Sequence, residues 1–312
     1  MNLESLARLR LGKRFVIGVP FIWLLIFFVV PFLILLRISV TDMGNGVDPF
    51  APIIQTADGI LHIALKYQNY SSIFEDANPS GSLAFGQTIY LEAFITSVNY
   101  AFWTSLLCLV MGYPFAYFLA RTKSTLQPAL LMMVMLPFWT SFLLRVYAWK
   151  GILADQGVVN NALIWSGLIQ EPIQLLYSDV SMLVGMTYVY CPFMILPLYA
   201  TLVKMDFRLL EAAYDLGASP WKAFWLITVP LSKAGIIAGS MLVFIPCLGE
   251  FVIPSLLGGA ENIMMGRVVW DEMFSSNNWP RAAALAIVMI LVILVPMALY
   301  TRYSAERDAV ED

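Results

Sequence analysis

Six long apolar runs dominate this chain of 312 residues and decide what it can fold into. A helix needs about 20 apolar residues to cross the roughly 30 Å of hydrocarbon in a bilayer. The runs that approach or exceed this length are 16–38, 93–120, 128–149, 180–203, 234–256 and 282–300. Charged residues make up only 12% of the chain, about half of their share in a soluble domain. The pattern predicts an all-α integral membrane protein with six membrane-spanning helices.

The distribution of Lys and Arg predicts the orientation of these spans, because cytoplasmic loops collect positive charge. With the N-terminus inside, twelve basic residues fall on the inner side: Arg8, Arg10, Lys13, Arg14, Arg121, Lys123, Lys204, Arg208, Lys222, Lys233, Arg302 and Arg307. The outer side then holds only four: Lys66, Lys150, Arg267 and Arg281. Both termini are therefore expected inside.

The spans divide the chain into five segments. We expect a cytoplasmic N-terminus at 1–15, a first span at 16–38, an outer loop at 39–92, a core of five spans at 93–300 and a cytoplasmic tail at 301–312. A polar cytoplasmic loop at 204–233 interrupts the core.

Several kinds of chemistry have no candidate residues. The chain has a single histidine, and its three cysteines fall inside predicted spans without CxxC spacing, so we expect no catalytic residues and no metal site. It contains no Gly-x-x-x-x-Gly-Lys-Ser/Thr loop for nucleotide phosphates. The weak net charge of −3 says little about partners, because the membrane dominates the behaviour of such a chain. We expect contact with membrane lipid and none with nucleic acid.

The segment after the third span predicts a short amphipathic helix on the outer surface. Val158, Ala162, Trp165 and Leu168 recur at helical spacing, and Asn160 falls on the opposite side. The apolar face could cover the bundle or dock a partner.

The stretch "EAAYDLGASPWKAFWLITVP", 211–230, predicts two short helices joined by a tight turn. Leu209, Ala213 and Leu216 form an apolar stripe on the first helix. Gly217 can adopt a positive φ and end that helix. Ser219 and Pro220 are suited to the N-cap and first position of the second helix. Because one face is apolar and the loop is too polar for lipid, we expect a partner protein to cover it.

The same stretch resembles the EAA loop of permease subunits of ATP-binding-cassette importers. The matching residues are Glu211, Ala212, Ala213, Gly217, Ile227 and Pro230, with Asp215 inside the motif. The position also agrees, since this family has the loop on the cytoplasmic side before the penultimate span. The resemblance implies a fold of six membrane helices and a coupling loop that docks into an ATPase subunit.

The resemblance extends over nearly the whole chain. The blocks "PFWTSFLLRVYAWKGIL", "AGSMLVFIPCLGEFVIPSLLGG" and "GRVVWDEMFSSNNWP" are similar to the polyamine branch of these permeases, putrescine importers above all. This similarity implies a non-catalytic pore subunit in the bacterial inner membrane. It further implies a second permease subunit, an ATPase dimer and an extracytoplasmic polyamine-binding protein. ATP and Mg²⁺ would bind to the ATPase, and no cofactor to this chain.

Glu250 stands out because a carboxylate is costly near the centre of a span. Gly249, Pro246 and Pro254 around it predict a break with freed backbone carbonyls. Together these groups would suit a polyammonium ion, and the aromatic rings of Trp139, Tyr147, Tyr188 and Tyr190 could add cation–π contacts.

Two alternatives remain open at this point. Glu250 could instead form an ion pair with Arg145, which itself could extend to the outer interface. A gradient-driven secondary transporter or channel could use Glu250 as its cation site, although no inverted repeat supports that class.

Overall fold

The computed structural model describes residues 3–44, 48–57, 60–63, 65–77, 83–85, 89–259 and 261–311. The predicted segments 1–15, 39–92 and 301–312 therefore lie partly outside the described residues. The helices are α1 Leu3–Ser39, α2 Gln68–Phe74, α3 Ile89–Arg121, α4 Gln127–Met135, α5 Phe142–Leu153, α6 Val158–Trp165, α7 Asp179–Leu202, α8 Arg208–Asp215, α9 Pro220–Ala223, α10 Val229–Leu231, α11 Lys233–Leu248, α12 Val252–Leu257, α13 Met265–Trp270 and α14 Trp279–Glu311.

Short irregular segments and two hairpins complete the secondary structure. A 3-10 turn covers Leu136–Trp139, and π-helical segments cover Phe224–Thr228 and Asp271–Ser275. The antiparallel hairpins pair β1 Ile54–Ala57 with β2 Ile60–Ile63, and β3 Glu75–Ala77 with β4 Leu83–Phe85.

The first of two compact units comprises 1–86 and 269–296. Within it, the Asn69 amide donates to the carbonyls of Ser39 and Thr41, at 2.9 Å each, and so ties α2 to the end of α1. The Lys66 ammonium lies 2.5 Å from Asp42 and lowers the pKa of that carboxyl. Both side chains are about half exposed, so this ion pair adds little stability. The apolar side chains of α1 from Val16 onward are mostly exposed.

The second unit, 87–268 with 297–312, contains the packed core formed by α3, α7 and α11. Small side chains on α3 let its neighbours approach closely. Gly112 is one of them, since a Cβ there would lie 3.3 Å from Met194 and Ile195 of α7. A Cβ on Gly239 of α11 would likewise lie only 2.8 Å from the Met194 sulfur. The three helices thus form a dense bundle.

The helical fold is confirmed, but the count of six uninterrupted spans is not. Within the described residues, three helices are long and apolar enough to cross a membrane, and two bent helix pairs raise the number to at most five. The predicted third span, 128–149, is interrupted at Thr140, and its two parts, Gln127–Trp139 and Phe142–Trp165, are bent by 87°. Pro137 explains the interruption, because it removes a backbone donor from the helix.

The outer helix α6 forms as predicted, but its orientation is reversed. Asn160 is fully buried, whereas Val158, Trp165 and Leu168 are 68, 91 and 75% exposed. Of the two alternatives, the one in which the apolar face covers the bundle is therefore wrong, and docking of a partner stays a prediction. The cause is a hydrogen-bonded clasp: the Asn160 amide donates to Ala154 O and Ile173 O and accepts from Ile173 N.

We predict that Asn160→Ala loosens the segment between α5 and α7. The change removes the hydrogen bonds of the Asn160 side chain to Ala154 and Ile173, and a typical bond contributes about 0.5–1.5 kcal/mol. Limited proteolysis of the purified protein should then cut this segment faster. The neighbouring Asn161→Ala is the matched control, since exposed Asn161 donates only to Gln156 O. Equal cleavage of the two variants contradicts the clasp.

Candidate functional site

The loop 208–231 begins with α8 and a tight turn at Gly217. Gly217 has φ +81°, which an L side chain rarely adopts. Its N–H donates to Tyr214 O and the Ala218 N–H donates to Ala213 O, each at 2.9 Å. This pair of bonds is a Schellman motif, and it ends the helix as the sequence predicts.

The second arm of the loop starts immediately after this turn. The Ser219 side chain accepts from the Lys222 N–H at 3.4 Å, and Pro220 occupies the first turn of α9. Both predictions are confirmed. The arm continues through the π-helical segment and α10 to Ser232, where it meets α11 at a 67° bend. The predicted coupling loop is therefore two helical arms joined by the four residues 216–219.

Several large apolar side chains of the loop are exposed. Leu216, Trp221 and Leu226 are 89, 71 and 73% exposed, whereas Leu210 is buried. Of the residues predicted for ATPase coupling, five are exposed and two half-buried. The exposed ones are Glu211, Ala212, Asp215, Gly217 and Pro230, and the half-buried ones are Ala213 and Ile227.

An aromatic cluster anchors the second arm to the bundle, which sequence reasoning did not anticipate. The Phe224 ring meets the rings of Tyr113 and Tyr117 edge-on, with centroids 5.4 and 6.1 Å apart. The Tyr113 hydroxyl also lies 2.7 Å from Ser232 Oγ, at the bend before α11. The arm is thus held to the C-terminal half of α3.

Glu250 lies in the interruption between α11 and α12 and is only 8% exposed. Its Oε1 accepts from the N–H groups of Val252 and Ile253, at 3.0 and 3.3 Å, and thereby caps α12. Its Oε2 accepts from the Tyr190 hydroxyl of α7. Both carboxylate oxygens are therefore occupied by groups of this chain.

The expected freed carbonyls at this interruption do not face a cavity. A Cβ on residue 266 would lie 2.3 Å from Gly249 O and 2.7 Å from Glu250 O. Only glycine allows the backbone of α13 to approach these carbonyls so closely. The Glu250 side chain thus accepts from N–H groups after the break. The backbone of α13 at Gly266 packs against the carbonyls of Gly249 and Glu250.

The ion pair between Glu250 and Arg145 is not present in the structure. The Arg145 guanidinium stacks over the Phe138 ring, 4.7 Å from its centroid, and also approaches Phe142. It therefore points back along α5 and not toward the outer interface. The Phe193 ring lies between Phe138 and Tyr190, at 5.5 and 6.2 Å. Aromatic rings thus separate the two charges, and Arg145 Nε and Nη1 are buried without a hydrogen-bond acceptor.

The structure brings only one of the four candidate aromatic residues to Glu250. Tyr190 contacts it directly, whereas Trp139 and Tyr147 are 77 and 54% exposed elsewhere on α4–α5. Tyr188 packs edge-on against Trp149 at 5.4 Å. It lines an apolar groove of about 690 Å³ between α3, α5 and α7. Among the described residues, no group of His, Cys, Asp or Glu could hold a metal ion.

The bent helical bundle and its exposed helical loop agree with the fold expected of a membrane permease. In agreement with this, residues 13–307 match the family described as "Binding-protein-dependent transport system inner membrane component". The chain belongs to this family. It is therefore a multi-pass inner-membrane permease subunit of ATP-binding-cassette importers, and the ATPase is a separate chain.

Three similar proteins are all described as transport-system permeases. The chain is 40% identical over 216 residues to the "Spermidine/putrescine transport system permease protein PotB" of Salmonella typhimurium, covering 69% of this chain and 75% of that protein. The protein of the same description from Haemophilus influenzae is 34% identical over 296 residues, covering 95 and 94%. A "Molybdenum transport system permease protein ModB" of Azotobacter vinelandii is 30% identical over 214 residues, covering 68 and 93%.

Solved structures share the fold. A chain of a bacterial importer of the acidic polysaccharide alginate superimposes with a TM-score of 0.66 at 18% identity, covering 97% of this chain and 98% of that one. The alginate transporter in complex with its pentasaccharide-bound periplasmic protein gives a TM-score of 0.67.

We predict that Glu250 is energetically coupled to Tyr190 and not to Arg145. Contacting residues usually show coupling free energies of 0.5–3 kcal/mol, whereas independent residues add within about 0.5 kcal/mol. Thermal unfolding in nanodiscs should therefore show non-additivity for Glu250→Gln with Tyr190→Phe, and additivity for Glu250→Gln with Arg145→Gln. Rescue of Glu250→Gln by Arg145→Gln would contradict the observed arrangement.

Proposed function

We propose that this chain forms half of the pore of an ATP-driven importer of polyamines, with putrescine as its principal cargo. The observation that supports this most directly is the similarity to spermidine/putrescine permeases over 95% of the chain. The second half of the pore would be a related permease, and an extracytoplasmic polyamine-binding protein would deliver the cargo. Both termini would lie in the cytoplasm.

We further propose that the loop 208–231 docks into an ATPase subunit, which binds ATP and Mg²⁺. Leu216, Trp221 and Leu226 expose an apolar surface that water disfavours. A rigid turn at Gly217 presents this surface, and the Phe224 cluster ties it to α3. A groove in a partner would cover it, as in other helix-in-groove complexes. Closure of the ATPase dimer would then move the bundle between its inward- and outward-facing states.

The role of Glu250 in this proposal is electrostatic. Its oxygens are occupied, so a polyammonium ion would sense its charge without direct contact. A carboxylate exerts this attraction over several ångströms in a medium of low dielectric constant. The exposed rings of Trp139, Tyr147 and Tyr188 are the candidates for cation–π contacts along the path. The gradient-driven alternative is not favoured, because family membership links the chain to ATP-driven import.

We predict that Gly217→Val disrupts ATPase binding. A β-branched side chain at positive φ is strained, and the Schellman turn that presents the docking surface should open. Co-purification should recover at least about tenfold less ATPase, equivalent to about 1.4 kcal/mol of binding free energy.

Gly167→Val is the matched control for this experiment. Gly167 also has positive φ, at +72°, and a Cβ at either glycine has no atom within 4 Å. The strain is therefore equivalent, but Gly167 follows α6 on the predicted outer side. ATPase recovery should remain normal in this variant. Equal losses in both variants would mean that general destabilisation, and not docking, explains the result.

We predict that proteoliposomes with the complete complex take up labelled putrescine only with ATP and the binding protein. Excess spermidine should compete, whereas molybdate and alginate oligosaccharides should not. Uptake driven by an ion gradient without ATP would overturn the proposed class. ATP-dependent uptake of an anion, without putrescine uptake, would overturn the proposed cargo alone.

A further inference from the structure

We infer that Cys108 and Cys191 form an oxidation site, a thiol pair whose conversion to a disulfide joins α3 to α7 and arrests transport. The arrest rests on the proposed function, but formation of the disulfide does not. Neither thiol has a role in the site described above, and both are free in the structure.

The register of α3 against α7 places the two cysteines opposite each other. Thr104 Oγ1 of α3 lies 3.8 Å from Met186 Sδ of α7. Further along the same two helices, Gly112 of α3 packs against Met194 and Ile195 of α7. Cys108 is four residues from both Thr104 and Gly112. Because both helices advance by the same rise per residue, the residues of α7 opposite Cys108 lie near 190–191.

A direct contact agrees with this register. The Cys108 thiol donates to Thr187 O at 3.6 Å, which is the carbonyl one turn before Cys191. A side chain as short as cysteine reaches a neighbouring backbone only where two helices nearly touch. A disulfide also needs closely approaching helices, with Cα atoms about 4.4–6.8 Å apart.

The two thiols differ in access, which assigns them different chemical roles. Cys108 is fully buried, whereas Cys191 is partly exposed and lines the apolar groove. In the proposed reaction, a small neutral peroxide would reach this thiol through the groove. The Cys191 sulfur would attack the peroxide, break its O–O bond and form a sulfenic acid, while the Cys191 proton leaves with the departing hydroxide as water.

Cys108 would then complete the reaction. Its sulfur attacks the sulfenic sulfur of Cys191, and a second water leaves with the Cys108 proton. In total, two thiols and one hydrogen peroxide give one disulfide and two waters. The two thiol sulfurs are oxidised and the peroxide oxygens are reduced. An added thiol reverses the product by disulfide exchange.

The disulfide should arrest transport because it joins two core helices at mid-length. α7 leads directly into the loop 208–231, and α3 holds that loop through Tyr113 and Tyr117. The proposed arrest requires that the change of pore state slides or tilts α3 against α7. A covalent bond between the two helices would prevent that movement.

The test uses the complete complex in membrane vesicles, treated with hydrogen peroxide or with copper–phenanthroline. Free thiols are then blocked with N-ethylmaleimide, and mass spectrometry identifies linked peptides. We expect a Cys108–Cys191 linkage, a fall in ATP-dependent putrescine uptake in step with the linked fraction, and recovery of both after dithiothreitol. Cys108→Ser and Cys191→Ser should abolish both effects.

Cys247→Ser provides the matched control, because Cys247 is also a buried thiol of the core. This variant should still form the linkage and lose uptake on oxidation. No linkage with either oxidant would overturn the site, whatever the transported cargo. A linkage that leaves uptake unchanged would overturn the arrest. Absence of putrescine uptake before oxidation would instead contradict the proposed function. The presence or absence of the Cys108–Cys191 linkage alone would then test the oxidation site.

Discussion

Backbone hydrogen bonding in lipid is the constraint on which the rest of this structure depends. Hydrocarbon offers no partners for N–H and C=O groups, so every interruption of a membrane helix needs its own partners. The break between α11 and α12 meets this need with a single side chain, since Glu250 accepts from two N–H groups of α12. Its remaining oxygen binds Tyr190 and fixes the break to α7. The carboxylate therefore acts as a structural group at the place where a substrate site was expected.

Local chemistry made part of the fold predictable from the sequence. The turn at Gly217 and the cap at Ser219 depend on residues at most a few positions apart, and both have the expected geometry. The long apolar runs likewise indicated the helices, because length and hydropathy are properties of a continuous segment. The interruption between α4 and α5 was not predicted, although Pro137 is a local signal for it.

Features that depend on distant residues could not be predicted in the same way. Helical spacing assigns Asn160 to the side opposite the apolar face. Its bonds to Ile173, 13 residues away, explain why it is buried instead. The partner of Glu250 lies 60 residues away on another helix. Arg145 offered an opposite charge at a similar depth, yet stacking on Phe138 satisfies its guanidinium in part. Matching charge and depth in a sequence does not identify which side chains meet.

The 67° bend at Ser232 has a mechanical consequence. The arm Pro220–Leu231 is about 18 Å long and α11 about 24 Å, at 1.5 Å per residue. In the proposed coupling, a push on the tip of the arm would reach α11 through this angle. The contacts of Tyr113 with Phe224 and Ser232 tie both the arm and the bend to α3. The arm, α11 and α3 would therefore turn together as one lever, and the push would not be absorbed by further bending at Ser232.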